Sequence, residues 1–448
     1  MTRQRPRWRL QPLDREILAL ALPALGALIA EPLFLLADSI MVGHLGGPAL
    51  AGLGLAAAVL QTLAGLMIFL AYGTTPAVAR RLGQQDRRGA VAVGVDGLWT
   101  ALALGLLLAV AGALATPALV AAFSATPEVA AQSAIYLRWS MAGVPAILLV
   151  FAASGLLRGL QDTRTPLWVA SVGFGANIAL NYLLMYGLRL GIAGAAIGSV
   201  LAQWGMVAAY LWVIARHRRA TGARWWPHWR GVRLGAADGG WLFLRTLTLR
   251  AAMLLAVYVA TRLGPAELAA FHVTMTLFAT VAFALDALAI AAQALIGHRL
   301  GAGQPAQARA ILRRCLRWGV GAGLLLGLAL LAGSGVIGYL FTQDAAVRAV
   351  LPPALAILGL SVPLGALVWV LDGVLMGAGD MRYLGLAGVV NLAAFLPPAL
   401  VVLWAAPTGA AGLAWLMLAF VAGFLGARLA TLGWRIRGSA WTVTGATR

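Results

Sequence analysis

No lysine occurs anywhere in this chain: its 33 basic side chains are all arginine, set against only 14 aspartates and glutamates. Charged residues make up 10% of the sequence, too few for a soluble surface, since about a quarter of an ordinary soluble domain is charged. Cysteine is nearly absent. The single Cys315 excludes an intramolecular disulfide and a thiolate metal cluster. Five histidines are scattered without paired spacing, with His44 and His272 at the outer ends of apolar runs, so no metal site is expected. A phosphate-binding glycine loop is missing, which excludes coupling to ATP through this chain. No DDxxD run occurs, which excludes the magnesium–pyrophosphate chemistry of a membrane prenyltransferase. Neither an enzyme nor a cofactor-dependent protein is expected.

What the chain has instead is apolar length. It is 62% hydrophobic, with a mean hydropathy of +0.89. Runs of about 20 apolar residues, each able to cross a hydrocarbon core of about 30 Å as a helix, recur throughout. Twelve are predicted, at 13–42, 49–75, 90–116, 130–156, 166–187, 191–215, 237–262, 267–297, 308–334, 345–373, 382–405 and 408–433. The chain also matches itself at an offset of 218 residues. Leu45-Gly46 falls on Leu263-Gly264, Arg81-Leu82-Gly83 on Arg299-Leu300-Gly301, and Val144-Pro145 on Val362-Pro363. Gly159, Asp162 and Arg164 fall on Gly377, Asp380 and Arg382, and Gly191 and Gly194 on Gly409 and Gly412. A constant offset is the mark of a duplicated architecture. Six spans per half is an even number, so the halves enter the membrane in the same direction and form a parallel repeat. The predicted fold is an all-α integral membrane protein of twelve transmembrane helices in two six-helix lobes. The predicted units are an N-lobe at 1–215, a basic linker at 216–236 and a C-lobe at 237–448.

The formal charge of +19 is distributed as a membrane protein distributes it. Arginines gather at the termini and in the even-numbered loops. Arg189, Arg262 and Arg348 fall in odd-numbered loops, and Arg138, Arg245 and Arg250 fall within spans. The positive-inside rule then puts both termini in the cytoplasm. The block from Arg216 to Arg233, with Trp225, Trp226 and Trp229, reads as a cytoplasmic linker on anionic lipid rather than a nucleic-acid surface. The first apolar run is about 30 residues long, without a convincing cleavage site, and reads as a retained helix.

Acids inside spans are costly, at about 2.5–3.5 kcal/mol each on insertion scales, so each needs a reason. Glu31 and Asp38 lie in span 1, near the midplane and in the outer third; Pro23 and Pro32 favour a bend there. Asn177 and Asn181 in span 5, and Ser199 and Gln203 in span 6, share that depth and are each four apart on one helical face. These six residues form a candidate cation-coupling site with Asp38 as the proton carrier. In the second half Arg245, Asp286 and Asp372 share the cytoplasmic half of the bilayer, as an ion pair or as an alternative cation site. Arg250 has no evident partner. Asp96 is read as interfacial. The turns Leu157 to Pro166 and Met376 to Arg382 are read as caps that pair Asp with Arg.

These residues carry a resemblance. From Leu18 to about Trp434 the chain resembles the multidrug and toxic compound extrusion (MATE) transporters, within them the DinF-like branch. The matching elements are Pro32-Leu33-Phe34-Leu35-Leu36-Ala37-Asp38-Ser39 followed by Val42-Gly43-His44-Leu45-Gly46, the Leu157-to-Pro166 turn and Asn177 to Gly187. Gly191-Ile192-Ala193-Gly194-Ala195-Ala196, Leu285-Asp286-Ala287 and Leu371-Asp372-Gly373 complete the pattern. The resemblance implies two lobes around a central cleft in a bacterial cytoplasmic membrane. It implies a functional monomer among lipids, exporting amphipathic, often cationic small molecules against protons or sodium by alternating access. Asp38 matches the family's cation-coupling aspartate and Asn177 a polar partner. Asn181 stands where many relatives carry an aspartate, which favours one proton on Asp38; Asp286 and Asp372 keep the sodium alternative. Phe34, Tyr72, Tyr182, Met206 and Phe278, with Arg250, are the expected substrate walls. The alternative is a lipid-linked oligosaccharide or lipid flippase of related shape, whose cleft would need several cations.

Overall fold

The computed structural model describes residues 11–123, 126–405 and 407–445, except for the side chains of Glu31, Pro32, Phe34 and Leu35. Every regular element among the described residues is helical. The six long helices of the first half are α1 (Pro12–Gly43), α2 (Gly47–Gly83), α3 (Arg87–Ala122), α4 (Pro127–Met141 with Val144–Gly159), α5 (Arg164–Gly187) and α6 (Gly191–Thr221). Those of the second are α7 (Trp229–Leu263), α8 (Pro265–Gly301), α9 (Pro305–Gly333), α10 (Ala345–Gly377), α11 (Met381–Ala405) and α12 (Ala410–Arg437). A short helix, Ile337–Phe341, sits between α9 and α10. Ten of these are long and apolar enough to cross a bilayer, and α4 joins them when its halves, bent by 49°, are taken as one crossing. α1, with 32 residues, completes twelve in two lobes of six, related by a parallel pseudo-two-fold.

The duplicated residues are the ones that set this frame. Gly46 and Gly264 open α2 and α8 at φ 118° and 147°, and Gly191 and Gly409 open α6 and α12 at φ 55° and 80°. Those are left-handed values that a side chain disfavours. Other duplicated glycines let helices touch. A Cβ added at Gly155 of α4 would lie 2.7 Å from the Ala71 carbonyl of α2; at Gly373 of α10 it would lie 2.6 Å from the Ala289 carbonyl of α8. Each pair is the other shifted by the same offset, so the lobes repeat their packing as well as their order.

The lobes meet at the end of the bundle that carries both described termini. There a Cβ at Gly83 would overlap the His298 carbonyl, and one at Gly301 would overlap the Arg80 carbonyl. The contact is reciprocal, as a two-fold requires. The Arg80 guanidinium donates to the Ala378 carbonyl at 2.5 Å and the Gly445 carbonyl at 3.0 Å. Arg299 pairs with Glu16 at 2.7 Å, and Asp14 pairs with Arg314 and accepts from Trp318 Nε1 at 2.8 Å. An apolar core joins Ile17 and Leu20 of α1 to α8, α9 and α10 at this end. Away from it the two central helices part. On α2, residues 74–76 and 78–80 are buried, whereas Gln61 and Thr62 are exposed. On α8, residues 289–297 are buried, whereas Thr276, Thr280 and Phe283 are exposed. The lobes form a V closed at the terminal end.

Between the lobes, α6 and α7 extend into the stretch expected as linker and leave only 222–228 non-helical. That segment docks on α3. Asp96 pairs with Arg224 at 2.5 Å and accepts the His228 amide at 2.8 Å, and Trp99 Nε1 donates to the Trp225 carbonyl at 3.0 Å. At the two expected capping turns, Asp162 accepts the Thr165 amide at 2.9 Å, while Asp380 pairs with Arg435 at 2.6 Å rather than with Arg382.

Packing through bare backbone makes a sign prediction. Gly155→Ala and Gly373→Ala should each lower the melting temperature in detergent, because overpacking costs about 1–3 kcal/mol. Gly175→Ala, where an added Cβ meets nothing within 4 Å, should be neutral or stabilising, because glycine costs a helix about 0.5–1 kcal/mol relative to alanine. Equal shifts at all three positions would refute this packing.

Candidate functional site

In the N-lobe, three helices deliver a hydrogen-bonded row to one carboxylate. The backbone geometry is simple: Asn177 and Asn181 are one turn apart on α5 and turn to the same side, and Ser199 meets them from α6. Asn181 Nδ2 donates to Asp38 Oδ1 at 2.8 Å and to Asn177 Oδ1 at 3.0 Å, and Asn177 Nδ2 donates to Ser199 Oγ at 3.0 Å. On the other side, the Tyr136 hydroxyl of α4 donates to Asp38 Oδ2 at 3.4 Å. Asp38, Tyr136, Asn177, Asn181 and Ser199 are all buried. The carboxylate accepts only from neutral donors; among the described residues no arginine or histidine pairs with it. Asn181 uses both amide hydrogens, and its Oδ1 is buried without a partner, against Gly198, where a Cβ would collide with it.

The row borders a cavity of about 330 Å³ that runs along the inner face of the N-lobe. Asp38, Tyr136, Ser199 and Gln203 line it at one end and Arg158 and Tyr210 at the other, with mostly apolar walls between. Along α4, Tyr136 and Arg158 are 22 residues apart, so the cavity extends over about 30 Å, roughly the depth of a bilayer.

The C-lobe treats its carboxylates differently. Asp372 of α10 is buried between two arginines: Arg245 of α7 grips both of its oxygens, at 3.2 Å for Nε to Oδ1, and Arg428 of α12 reaches Oδ2 at 3.3 Å. Arg428 also lies over the Phe424 ring at 5.8 Å. Asp286 lies within electrostatic range of this group but takes its hydrogen bond from elsewhere. It lies four residues before Ile290, a cavity-lining residue, and so faces the same way. There it accepts from the Tyr72 hydroxyl of α2 at 3.0 Å, across the lobe boundary. Gln293, two turns further on, donates to the Tyr72 carbonyl at 2.6 Å.

Of the residues predicted for the first site, Asp38, Asn177, Asn181 and Ser199 are bonded in one row, and Gln203 lines the same cavity without a bond to them. The side chains of Glu31 and Phe34 lie outside the described residues. Of the expected substrate walls, Tyr72 and Met206 line the cavity. Tyr182 does not: one residue past Asn181 is a rotation of about 100°, which leaves it 66% exposed on the outside against Tyr186. Phe278 does not either, because it packs on Trp369 and Phe420 in the C-lobe core. Arg250 rests against Gly65 of α2. The trio Arg245, Asp286 and Asp372 separates into an arginine-bound carboxylate and a tyrosine-bound one. Sequence reasoning missed Tyr136 and Arg428. Tyr136 had a signal, since Ser133, Tyr136 and Ser140 form a buried polar face on α4. No metal-binding cluster of His, Cys, Asp or Glu occurs among the described residues.

Comparison with known proteins gives this geometry a context. The family model described as MatE matches residues 23–183 and 242–401, one segment in each lobe. Protein DETOXIFICATION 44, chloroplastic, of Arabidopsis thaliana is 30% identical over 441 residues, covering 94% of this chain and 82% of its own. DNA damage-inducible protein F of Escherichia coli K12 is 31% identical over 337 residues, covering 73% of this chain and 72% of its own. Among solved structures, the Vibrio cholerae MATE transporter VcmN in the bent form superposes with a TM-score of 0.86 at 20% identity, over 96% of this chain and 98% of that one.

The two arginines on Asp372 are unequal, and stability should report it. Arg245→Met removes the two-oxygen grip and leaves the buried carboxylate to Arg428 alone, a loss of up to about 3–5 kcal/mol. Arg428→Met leaves that grip in place and should cost less. Thermal unfolding in detergent reads the order directly; an equal or inverted order would contradict the assignment.

Proposed function

The chain belongs to the MATE family of membrane transporters, and from that premise we propose that it is a secondary exporter driven by protons through Asp38. The observation that carries this reading is the company Asp38 keeps. A carboxylate buried among neutral donors is poised between charged and neutral forms, because burial disfavours the charge and hydrogen bonds favour it. Of the two interior C-lobe carboxylates, Asp286 is held by the Tyr72 hydroxyl across the lobe boundary, and Asp372 already has two permanent cations on its oxygens. That favours a proton at Asp38 over sodium at Asp372.

Asn181 suits such a switch. Its carboxamide offers an N–H to the ionised Asp38; turned over, it offers the oxygen that now lacks a partner to a protonated Asp38. An aspartate at this position could not answer both states without a proton of its own. If Asn177 turns with it and the Ser199 hydroxyl then donates to Asn177, the row remains bonded as the proton arrives and leaves.

We place both termini in the cytoplasm of the cell that carries the protein, as the arginine distribution favours. The V then opens outward. In this cycle a proton from outside neutralises Asp38, the bonds holding α1 to α4 and α5 rearrange, and the cavity releases an amphipathic compound, often a cation, to the exterior. The lobes then pivot about the α2–α8 contact, and Asp38 gives its proton to the cytoplasm. For a neutral substrate, one elementary charge crossing 100 mV contributes about 2.3 kcal/mol, enough to sustain a concentration ratio of about fiftyfold; for a monovalent cation exchanged one for one, no net charge crosses and the pH gradient alone drives export.

In proteoliposomes with an imposed pH gradient, wild-type protein should move ethidium, and Asp38→Asn should reduce proton-driven movement to the empty-liposome rate. Wild-type rates from the variant, or movement driven by a sodium gradient but not by protons, would overturn the proposal.

A further inference from the structure

Arg250 has no part in the cycle above. It lies on α7 about one and a half turns beyond Arg245, it is exposed, and its guanidinium leans across the seam between the lobes onto Gly65 of α2. A Cβ added at Gly65 would lie 3.3 Å from its Cζ. The interior acids whose side chains are described are engaged elsewhere: Asp38 by Asn181 and Tyr136, Asp286 by Tyr72, Asp372 by Arg245 and Arg428, Asp96 by Arg224. No carboxylate among the described residues reaches Arg250.

A guanidinium cannot shed its proton in a protein, and an unpaired arginine at membrane depth is expensive enough to mark a functional position. A second guanidinium lies within electrostatic range of Asp286. Arg158 borders the N-lobe cavity, and its Nε is buried without a partner. Across the duplication, the positions corresponding to Arg250 and Gly65 are Pro32 and Phe283, so neither equivalent position carries a positive charge. The positive charge is a feature of one seam and is not part of the repeated frame.

The geometry points to Arg250 as an anion-recognising residue of the cleft, one that receives the carboxylate, sulfonate or phosphate of an amphiphile. The planar fork of a guanidinium matches such groups with two parallel hydrogen bonds. Gly65 leaves room for it: the absent side chain keeps the guanidinium in the seam. Arg158 draws the same charge toward the cavity. This inference rests on the exporter reading and widens its substrates from cations to amphiphiles that carry an acidic group. The acidic group can belong to a soluble organic anion or to the headgroup of an anionic lipid.

Three probes with one fluorophore separate the possibilities: dansylglycine (anionic), dansylamide (neutral) and monodansylcadaverine (cationic), each titrated against protein in phosphatidylcholine nanodiscs. Arg250→Gln should weaken dansylglycine about tenfold or more, with dansylamide unchanged as the sign of an intact cavity. Arg250→Lys should fall between, keeping charge without the fork. Gly65→Leu, which displaces the guanidinium and keeps it in the chain, should weaken dansylglycine likewise. If the anion is a lipid headgroup, adding phosphatidylglycerol competes with dansylglycine in the wild type and not in Arg250→Gln; if it is a soluble anion, the lipid has no effect. Equal dansylglycine affinity in wild type and both substitutions that remove or displace the guanidinium overturns the assignment. So does a wild type that binds dansylamide and monodansylcadaverine but not dansylglycine. A wild type that binds none of the three fails at the exporter reading itself.

Discussion

The molecule depends on two central helices touching through bare backbone at one end. Where α2 meets α8, Gly83 and Gly301 each lie against the other lobe's carbonyls, and a single added Cβ would overlap either. α2 is interrupted at Ile68, and its contact with α8 is made by the stretch beyond that break. The buried stretches at 78–80 and 294–297 and the exposed Gln61, Thr62, Thr276 and Thr280 are the two ends of that one constraint. Both lobes hang from it, since α2 packs on α4 through Gly155 and α8 packs on α10 through Gly373.

Within that frame, the absence of water in a bilayer dictates where polar groups can be. Each lobe has solved the problem of a buried acid in a different way. The N-lobe gives Asp38 neutral donors from two helices, α4 and α5, an arrangement that suits the proposed proton carrier. The C-lobe gives Asp372 two arginines, an arrangement that fixes its charge. A carboxylate that must stay charged serves as a strut; one that can change serves as a switch. The Tyr72–Asp286 bond spans the boundary between the two lobes.

Much of the frame was legible because frame residues are scarce types at fixed spacing. Glycines at turns and crossings, and the Arg-Leu-Gly run at the lobe contact, repeat at an offset of 218 because backbone geometry leaves few substitutes. The Asp38 row was legible as depth plus helical face: Asn177, Asn181 and Ser199 share both. Depth alone was not enough. Tyr182 has the right depth and points outward, and Phe278 has a plausible depth and faces its own lobe's aromatic core. Asp286 shares its depth with Arg245 but points into the cleft, a difference that depends on the rotation of α8 against α7. Arg428 was hidden because arginines cluster at that end of the last helix for topological reasons, and nothing in the pattern separates the one that turns inward.

The central claim is that one proton on Asp38 and one substrate exclude each other. Proton release on substrate binding tests it without transport. Purified protein in weakly buffered detergent solution, held near the midpoint of Asp38 titration, is mixed with tetraphenylphosphonium while a pH indicator is followed. About one proton released per cation bound, and none from Asp38→Asn that still binds the cation, is the predicted result. Equal release from the variant, or a wild type that binds the cation without releasing a proton at any pH across the titration, would contradict it.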